Sequence, residues 1–383
     1  MTNQSKQSPL IRILKASASL KLTVICLIIL VLLVIWGTVY QADHGLYQAQ
    51  QKFFYSWFFL IFGFIPFPGT VLIMFVLFFN LVCSIFFRLG LRWSNIGNII
   101  THAGIIVLLV GGFFTFYFSV ESSLMLREGE NANTTTSRHF WELAVWENPD
   151  KISETDVFHV DTDGLEPGDT IRLDELGLEL TTKEYYVNCS AFTGAAGDGS
   201  TVINSGGVQV LKARPSAMEI GENTAGGVFD IKSASGNKAV LLLYGQDSEP
   251  TPVKMENRTF VLSLRKKKIP LPLSIKLLDF RVQFYPNSRI PKSYESTVTV
   301  KTEGGVDRDV VISMNKPLRY ADLTFFQSSY YTAPDGTEYS ILAVVKNFGR
   351  LLPYFSSIII FLGMTIHFIV MLFRRRKKMK NDQ

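Results

Sequence analysis

Two histidines lie inside apolar stretches that are long enough to cross a membrane. His102 is in residues 99–119 and His367 is in residues 351–373. An ionisable ring is costly in hydrocarbon, so such a residue usually faces a partner inside a helix bundle. Neutral imidazole is also a common ligand of iron. The chain has only 5 histidines, so these two positions hold a large share of its imidazole chemistry.

Four membrane-spanning helices are predicted. A helix needs about 20 mostly apolar residues to cross the hydrocarbon core. The stretches that meet this requirement are residues 20–40, 69–87, 99–119 and 351–373. The first could instead be a signal peptide, but Trp36, Val39 and Tyr40 continue it without a small-residue cleavage site. We therefore expect it to remain as a span.

A fifth apolar stretch, residues 53–67, is rich in aromatic side chains but is short. It is followed by Pro68 and contains Pro66, and both residues disfavour a continuous helix. Trp and Tyr side chains are typical of the membrane–water interface. We expect a helix that lies in the interface, and a fifth span is the alternative.

The basic residues predict the orientation of the spans, because Lys and Arg favour the cytoplasmic side. They precede the first span, occur at Arg88 and Arg92 between the second and third, and form the run 374–378 after the fourth. Both termini are then cytoplasmic, residues 1–119 and 351–383 are the membrane regions, and residues 120–350 lie outside. The net charge of +5 is concentrated at these boundaries, which does not favour nucleic-acid binding.

Residues 120–350 are predicted to form a mostly antiparallel β domain. Apolar and polar residues alternate between Gly, Pro and Asp turn signals, which is typical of strands with one buried face. The clearest examples are residues 141–146, 178–186, 238–244, 294–302 and 339–345. A sandwich and a pair of β lobes both fit this pattern, and in the second case residues 245–252 would join the lobes. Residues 194–207 are expected to form a loop.

This β domain lacks the motifs of a self-contained enzyme. It has no phosphate-binding loop, GxSxG or HExxH sequence, and we assign it no catalytic residue. His139 and His159 are expected to be surface or packing residues, and the run 265–268 is interpreted as a solvated turn rather than a binding patch. Cys189 is its single cysteine, so an internal disulfide is excluded, and the chain has no CxxC motif.

The two span histidines are predicted to lie at similar depths. At about 1.5 Å per residue, His102 is roughly 7 Å and His367 roughly 9 Å from the inner ends of their helices. Neighbouring helices could therefore bring both rings to one iron site. The alternative is that each ring bonds a backbone carbonyl or a hydroxyl group such as that of Thr101 or Thr365. His44, at the outer end of the first span, is a candidate outer ligand or a solvated residue.

Four stretches together resemble the ResB family of cytochrome c biogenesis proteins. They are residues 17–38, 101–115, 315–330 and 339–368. The order of three spans, a large outer domain and a final span also fits this family. The resemblance is weak from about residue 150 to residue 260.

The resemblance implies a subunit of a cytochrome c synthetase in the bacterial cytoplasmic membrane. ResB-like proteins work with a CcsA-type (ResC-like) partner to carry haem b outward, where it is attached to the CxxCH motif of an apocytochrome c. The family's intramembrane haem-ligating histidine matches His102, and the depth argument adds His367. The chain lacks the partner's tryptophan-rich segment, so the resemblance implies a non-catalytic or co-catalytic subunit.

Two other classes of protein remain as alternatives. The first is a membrane-anchored β scaffold that contacts lipid, a partner or apocytochrome but binds no haem. The second is a dihaem electron-transfer subunit, which needs two stacked histidine pairs where this chain offers one level. A solute transporter is disfavoured because the spans have few polar residues and no repeat.

Overall fold

The structure, a computed structural model, describes residues 8–90, 92–147, 157–193, 202–302, 304–305 and 307–381. The chain divides into a membrane unit, Met1–Val120 with Lys346–Gln383, and a β unit, Glu121–Val345. Among the described residues, four helices of the membrane unit are long and apolar enough to cross a membrane. The predicted fold class, four spans and a large antiparallel β domain, is confirmed.

The described α-helices all belong to the membrane unit. They are α1 Pro9–Ser17, α2 Leu20–His44, α3 Leu46–Ala49, α4 Thr70–Ser84, α5 Ile96–Phe118 and α6 Leu352–Asn381. Two π-helical turns, Gln50–Phe54 and Ile85–Leu89, follow α3 and α4. The second turn extends α4, so that the candidate span is Thr70–Leu89.

The interpretation of residues 53–67 as a helix is wrong, because most of the segment forms a β-hairpin. Strand β1, Phe58–Ile61, pairs antiparallel with β2, Ile65–Pro68. The turn has positive φ at Phe62 (52°) and Gly63 (81°). A positive φ is uncommon for a residue other than glycine, so the sequence carried no standard turn signal.

The β unit contains the remaining described strands. They are β3 Val120–Arg127, β4 Asn131–Glu147, β5 Phe158–Asp161, β6 Thr170–Leu173, β7 Leu178–Tyr186, β8 Cys189–Phe192, β9 Val210–Ala213, β10 Gly226–Ser233, β11 Lys238–Tyr244, β12 Thr251–Met255, β13 Arg258–Phe284, β14 Pro291–Thr302, β15 Arg308–Ser313, β16 Leu318–Tyr320, β17 Leu323–Thr332 and β18 Glu338–Lys346. The pairings of β4 with β3 and β5, of β13 with β4, β12 and β14, of β14 with β15, of β16 with β17, of β7 with β6 and β10, of β10 with β11 and of β8 with β9 are antiparallel. The five predicted strands all fall within these elements.

Two hydrophobic cores lie along the long strands β4 and β13. The first core joins the end of β4 and the start of β13 to β7, β10, β11 and β12. The second joins the later part of β13 to β3, β14, β15, β17 and β18. The two-lobe alternative therefore describes the β unit, with β4 and β13 extending across the large sheet.

The prediction that residues 245–252 join the two lobes is wrong. Leu243 of β11 and Val253 of β12, which flank this segment, are buried in the same first core. The segment is therefore a connection within one lobe. The first part of β17 is buried: Phe325 is fully buried, and Gln327 shares a buried hydrogen-bond network with Ser296 and Ser340.

Candidate functional site

The α5 and α6 helices pack antiparallel through glycines. A Cβ atom added at Gly97 would lie 2.6 Å from the Cα atom of His367, and one at Gly363 would lie 2.5 Å from the Thr101 backbone nitrogen. Such distances leave no room for a side chain, so the two backbones are in direct contact. We call this contact the glycine interface; it comprises Gly97, Gly104, Gly111 and Gly363.

The glycine interface has a seven-residue period. Gly97, Gly104 and Gly111 are spaced by seven residues on α5, and buried Ser356 lies seven residues before Gly363 on α6. Small residues let membrane helices approach closely. A seven-residue period keeps the same line of an α-helix facing its partner when the pair coils left-handed. The glycines of this interface are thus packing residues.

His102 lies on α5, outside the glycine interface. It is five residues after Gly97 and two before Gly104, which puts it about 140–160° around the helix from that line at about 100° per residue. Its Nδ1 atom is 2.8 Å from the carbonyl oxygen of Asn98. The carbonyl can only accept, so Nδ1 carries the proton and Nε2 keeps its lone pair. A neutral imidazole in this tautomer is a suitable axial ligand for iron.

His367 lies against α5 on the side of the glycine interface, since its backbone contacts Gly97. Its ring is 5.8 Å from that of Phe368, and no hydrogen bond to it is found among the residues that the structure describes. Because Gly97 is level with His367, His102 lies about 7.5 Å further along α5. The two histidines are therefore on adjacent helices but on different sides of α5.

His44 ends α2 and is exposed. Its ring stacks on that of Tyr40 with centroids 3.8 Å apart, and its Nδ1 atom is 3.3 Å from the Tyr40 carbonyl oxygen. The Lys52 ammonium group also lies over the Tyr40 ring, at 4.4 Å. His44 therefore sits beside an aromatic surface at the end of a span, well separated in sequence from His102 and His367.

Asn80 is a buried polar residue of the membrane unit. Its side chain is buried in α4, where it donates to the carbonyls of Ser17 and Ser19 and accepts from the Thr23 hydroxyl at 2.7 Å. Backbone groups that lack partners at a helix end are costly in lipid. Asn80 therefore joins α4 to the junction of α1 and α2.

The basic run 265–268 is not a solvated turn, so that prediction is wrong. It lies inside β13, where successive side chains find separate partners. Arg265 donates from Nε to buried Glu142 at 2.8 Å, and Lys267 pairs with Asp161 at 2.6 Å. His159 also contacts Glu142, at 3.2 Å, which fits the expectation of a surface or packing residue.

Lys266 faces the aromatic side of the same strand. Its ammonium group lies 4.3 Å from the Trp141 ring centroid and donates to the Arg138 carbonyl. Burial lowers the pKa of Lys266 to about 8. Beside it is a cavity of about 200 Å³ lined by Phe140, Trp141, Asp161, Asp163 and Lys267. The cavity walls carry both signs of charge, which favours no simple ion.

Neither the cysteines nor a cluster of acids provides a metal centre in the described part of the chain. No group of three or more His, Cys, Asp or Glu side chains is placed to hold a metal ion there. Cys189 is buried, and burial raises the pKa of its thiol to about 11. A thiol with this pKa is neutral and unreactive near pH 7. The available iron chemistry is that of single imidazoles.

The fold and the histidines define a class: a membrane protein with four spans, a two-lobed β domain and an imidazole in its third span. The model of the ResB-like family matches residues 91–165 and 235–341 of this chain. The match confirms the resemblance to the ResB family. The matched residues include His102, whereas His44 and His367 lie outside them.

Relatives with known names agree with this result. Protein NrfI of Wolinella succinogenes is 24% identical over 269 residues, which are 69% of this chain and 26% of NrfI. Cytochrome c biogenesis protein Ccs1 of Heterosigma akashiwo is 39% identical over 57 residues, which are 15% of this chain and 14% of that protein. The chain thus matches about a quarter of NrfI and about a seventh of Ccs1.

Proposed function

We propose that this protein is a membrane subunit for cytochrome c biogenesis and that His102 binds haem b as an axial ligand during its transfer. The observation that carries the proposal is the His102 ring itself. Its Nδ1 atom bonds the Asn98 carbonyl, which directs the lone pair of Nε2 away from its own helix turn. The position lies within the sequence matched by the ResB-like family.

Asn98 and the glycine interface act as positioning elements in this proposal. The Asn98 carbonyl fixes the tautomer and the orientation of the ring, as second partners of ligating histidines commonly do. The glycine interface holds α5 against α6 on the opposite side of the helix, so His102 would face a partner rather than α6. The second axial ligand would then come from a CcsA-type subunit.

His367 and His44 have secondary roles in the proposal. His367 belongs to α6 and lies at the glycine interface, whereas His102 projects from another side of α5. His367 would therefore bind haem at a position separate from His102. His44 is exposed at the end of α2 and would bind or shield haem at the outer surface. The outer β unit would receive the CxxCH segment of apocytochrome c or brace the partner, and the apocytochrome supplies the thiols for attachment.

The proposed location is the bacterial cytoplasmic membrane, with both termini cytoplasmic and the β unit outside. The four candidate spans support a membrane location. The orientation rests on the basic residues, since Lys and Arg favour cytoplasmic loops and tails. Fusing a reporter that fluoresces only in the cytoplasm to either terminus, and then inside residues 194–200, tests this orientation.

The test of haem binding is the visible spectrum of the purified full chain, alone and with a CcsA-type partner, with pyridine quantification of haem b. His102→Ala is expected to remove most of the haem while leaving the yield in the membrane fraction unchanged. His159→Ala is the matched control, because it also removes an imidazole but from the β unit, where His159 contacts Glu142. Added imidazole should restore the low-spin spectrum in His102→Gly.

Two outcomes would overturn the proposal. Equal haem in the His102→Ala variant and the unmodified complex would remove His102 from haem binding. No haem in any sample, with an intact complex and normal maturation of cytochrome c, would favour the scaffold that binds apocytochrome or the partner without haem.

A further inference from the structure

The hairpin formed by β1 and β2 exposes an entirely apolar surface. Its inner face packs against α2: the rings of Phe59 and Phe67 lie 5.7 Å and 6.1 Å from that of Trp36. Phe58 and Leu60 are exposed on the other face, and Phe62 and Phe64 at the turn are 86% and 72% exposed. No charged residue occurs between Lys52 and Arg88.

The contact with Trp36 fixes the level of the hairpin relative to the membrane. Trp36 is 16 residues after Leu20, so it lies about 24 Å along α2 from the start of the helix. The hydrocarbon core is about 30 Å thick. The hairpin is therefore folded back alongside the span, near one boundary of the core, and Asp43 and Lys52 mark the polar side of that boundary.

The free edge of β2 has no backbone N–H donors. The hydrogen bond from the Gly69 nitrogen to the Trp57 oxygen sets the alternation of the ladder. Pro66 and Pro68 pair with Leu60 and Phe58, which are the positions whose amide groups point away from the partner strand. Both outward positions of β2 are thus prolines, so this edge has no N–H group to satisfy.

A donor-free edge suits contact with lipid, where an unsatisfied backbone N–H group costs several kcal/mol. Strand β1 keeps its outward amides at Phe58 and Leu60, and these groups need water or headgroup oxygens. The hairpin therefore fits the interface between headgroups and acyl chains better than the middle of the bilayer. Exposed Trp57 fits the same level, because Trp is enriched there.

We propose that the outer face and tip of this hairpin are a lipid-binding surface. It inserts into the membrane interface on the side of the bilayer where α2 ends and α4 begins. The occupant is the bilayer itself, and Phe58, Leu60, Phe62 and Phe64 are the lipid-contacting side chains. This surface anchors the connection between the first two spans. It is independent of the proposed haem site, since it requires neither His102 nor a partner.

The test is electron paramagnetic resonance of the full chain in phosphatidylglycerol–phosphatidylethanolamine vesicles, with a spin label at Phe62→Cys. The unmodified chain gives the background from Cys26, Cys83 and Cys189, which are all buried. Val31→Cys on exposed α2 is the lipid control, and Lys254→Cys on exposed β12 is the water control. Access to oxygen, divided by access to a water-soluble nickel complex, should be several-fold higher at Phe62 than at Lys254.

A label at Leu60→Cys provides a second position on the same surface, on a strand rather than in the turn. Both labels should resemble Val31→Cys more than Lys254→Cys. Nickel access equal to that of Lys254→Cys would show that the surface faces water. Low access to both reagents would show that protein covers it, either a second copy or another chain. Each of these two results overturns the proposal.

Discussion

The membrane unit is held together in two opposite ways. The glycine interface joins α5 to α6 with the smallest residues, so that backbone touches backbone. At the end of α2, an aromatic cluster of Trp36, Tyr40, Phe53, Phe59 and Phe67 joins the π-helical turn and the hairpin to the span. The first contact is a row of small residues along two helices, and the second is a compact cluster of aromatic rings.

The difference follows from what each contact must hold. Lipid is as apolar as Leu, so association in a membrane depends on packing rather than on burial from water. Two regular helices approach most closely where the facing residues are glycines, which have no side chain. A hairpin and a π-turn are irregular, and large rings fill the gaps between such elements by edge-to-face contacts. Phe53, which is fully buried, contacts rings from α2 and from β1.

The comparison also bears on the haem proposal. The glycine interface leaves α5 no freedom to separate from α6 without losing close contacts along several turns. His102 projects from the other side of this fixed helix. A rigid support for a ligating histidine lowers the cost of ordering it when haem binds.

The largest effect is expected for Gly97→Leu. The added side chain would meet the backbone of His367 and Gly363, which cannot move aside. We therefore expect the free energy of unfolding to fall by about 3 kcal/mol or more. Unfolding of the detergent-solubilised chain in an SDS titration measures it. Gly112→Leu is the matched control, because a Cβ atom there meets nothing within 4 Å. Equal stability of the two variants would show that α5 and α6 are not closely packed.

Phe53→Ala tests the aromatic cluster in the same titration. Large-to-small changes in a soluble core cost about 3–5 kcal/mol, part of which comes from transfer to water. In a membrane the reference state is lipid, so we expect the packing part alone, about 2–3 kcal/mol. Phe361→Ala on the exposed surface of α6 should change stability little. A loss at Phe361 as large as that at Phe53 would contradict the distinction.

The elements of both regions could be predicted from the sequence only where periodicity was long. The spans were recognised by length and hydropathy, and β7 and β11 by alternation. The facing of Gly97 and Gly363 could not be predicted, because a seven-residue period in one helix does not identify its partner. The hairpin was missed because Phe62 takes a positive φ without an Asn-Gly or Asp-Gly signal.

The candidate site also combines a feature that the sequence predicts with features that only contacts between elements reveal. His102 was selected as a candidate ligand from its position in a span, and that required only the sequence. Its separation from His367 around α5 required the helix contact, which depth alone does not give. Strand β13 was missed around residues 265–268 because the run reads as a charged turn. Only the paired strands reveal that Glu142 and Asp161 neutralise two of its charges.

Asn80→Ala tests the polar contact between α4 and the α1–α2 junction. It removes the hydrogen bonds to Ser17, Ser19 and Thr23. Such bonds are worth about 0.6–1.7 kcal/mol in membrane proteins, so the loss should be smaller than at either of the two packing contacts. Thr365→Val is the control, because its hydroxyl bonds only the Phe361 carbonyl of its own helix. A loss at Asn80 that exceeds the loss at Phe53 would overturn this ranking.

The pairing of a cation with a ring occurs in both units of the chain. Lys52 lies over Tyr40 at 4.4 Å and Lys266 over Trp141 at 4.3 Å. The ring favours the charged lysine, whereas burial opposes it and lowers the pKa of Lys266 from 10.5 to about 8. The folded chain therefore releases this proton at a lower pH than the unfolded chain.

The sign of the pH dependence follows from that difference. Below pH 8 both states carry the charge, and its burial penalty is constant; between pH 8 and 10.5 the unfolded state binds more protons, so stability rises with pH. Urea unfolding of the full chain should show this rise relative to Lys266→Met, which keeps the stem but cannot titrate. Parallel profiles of the two proteins would mean that the Trp141 ring offsets the burial. In that case the cation–ring pair, rather than burial, would set the charge of Lys266.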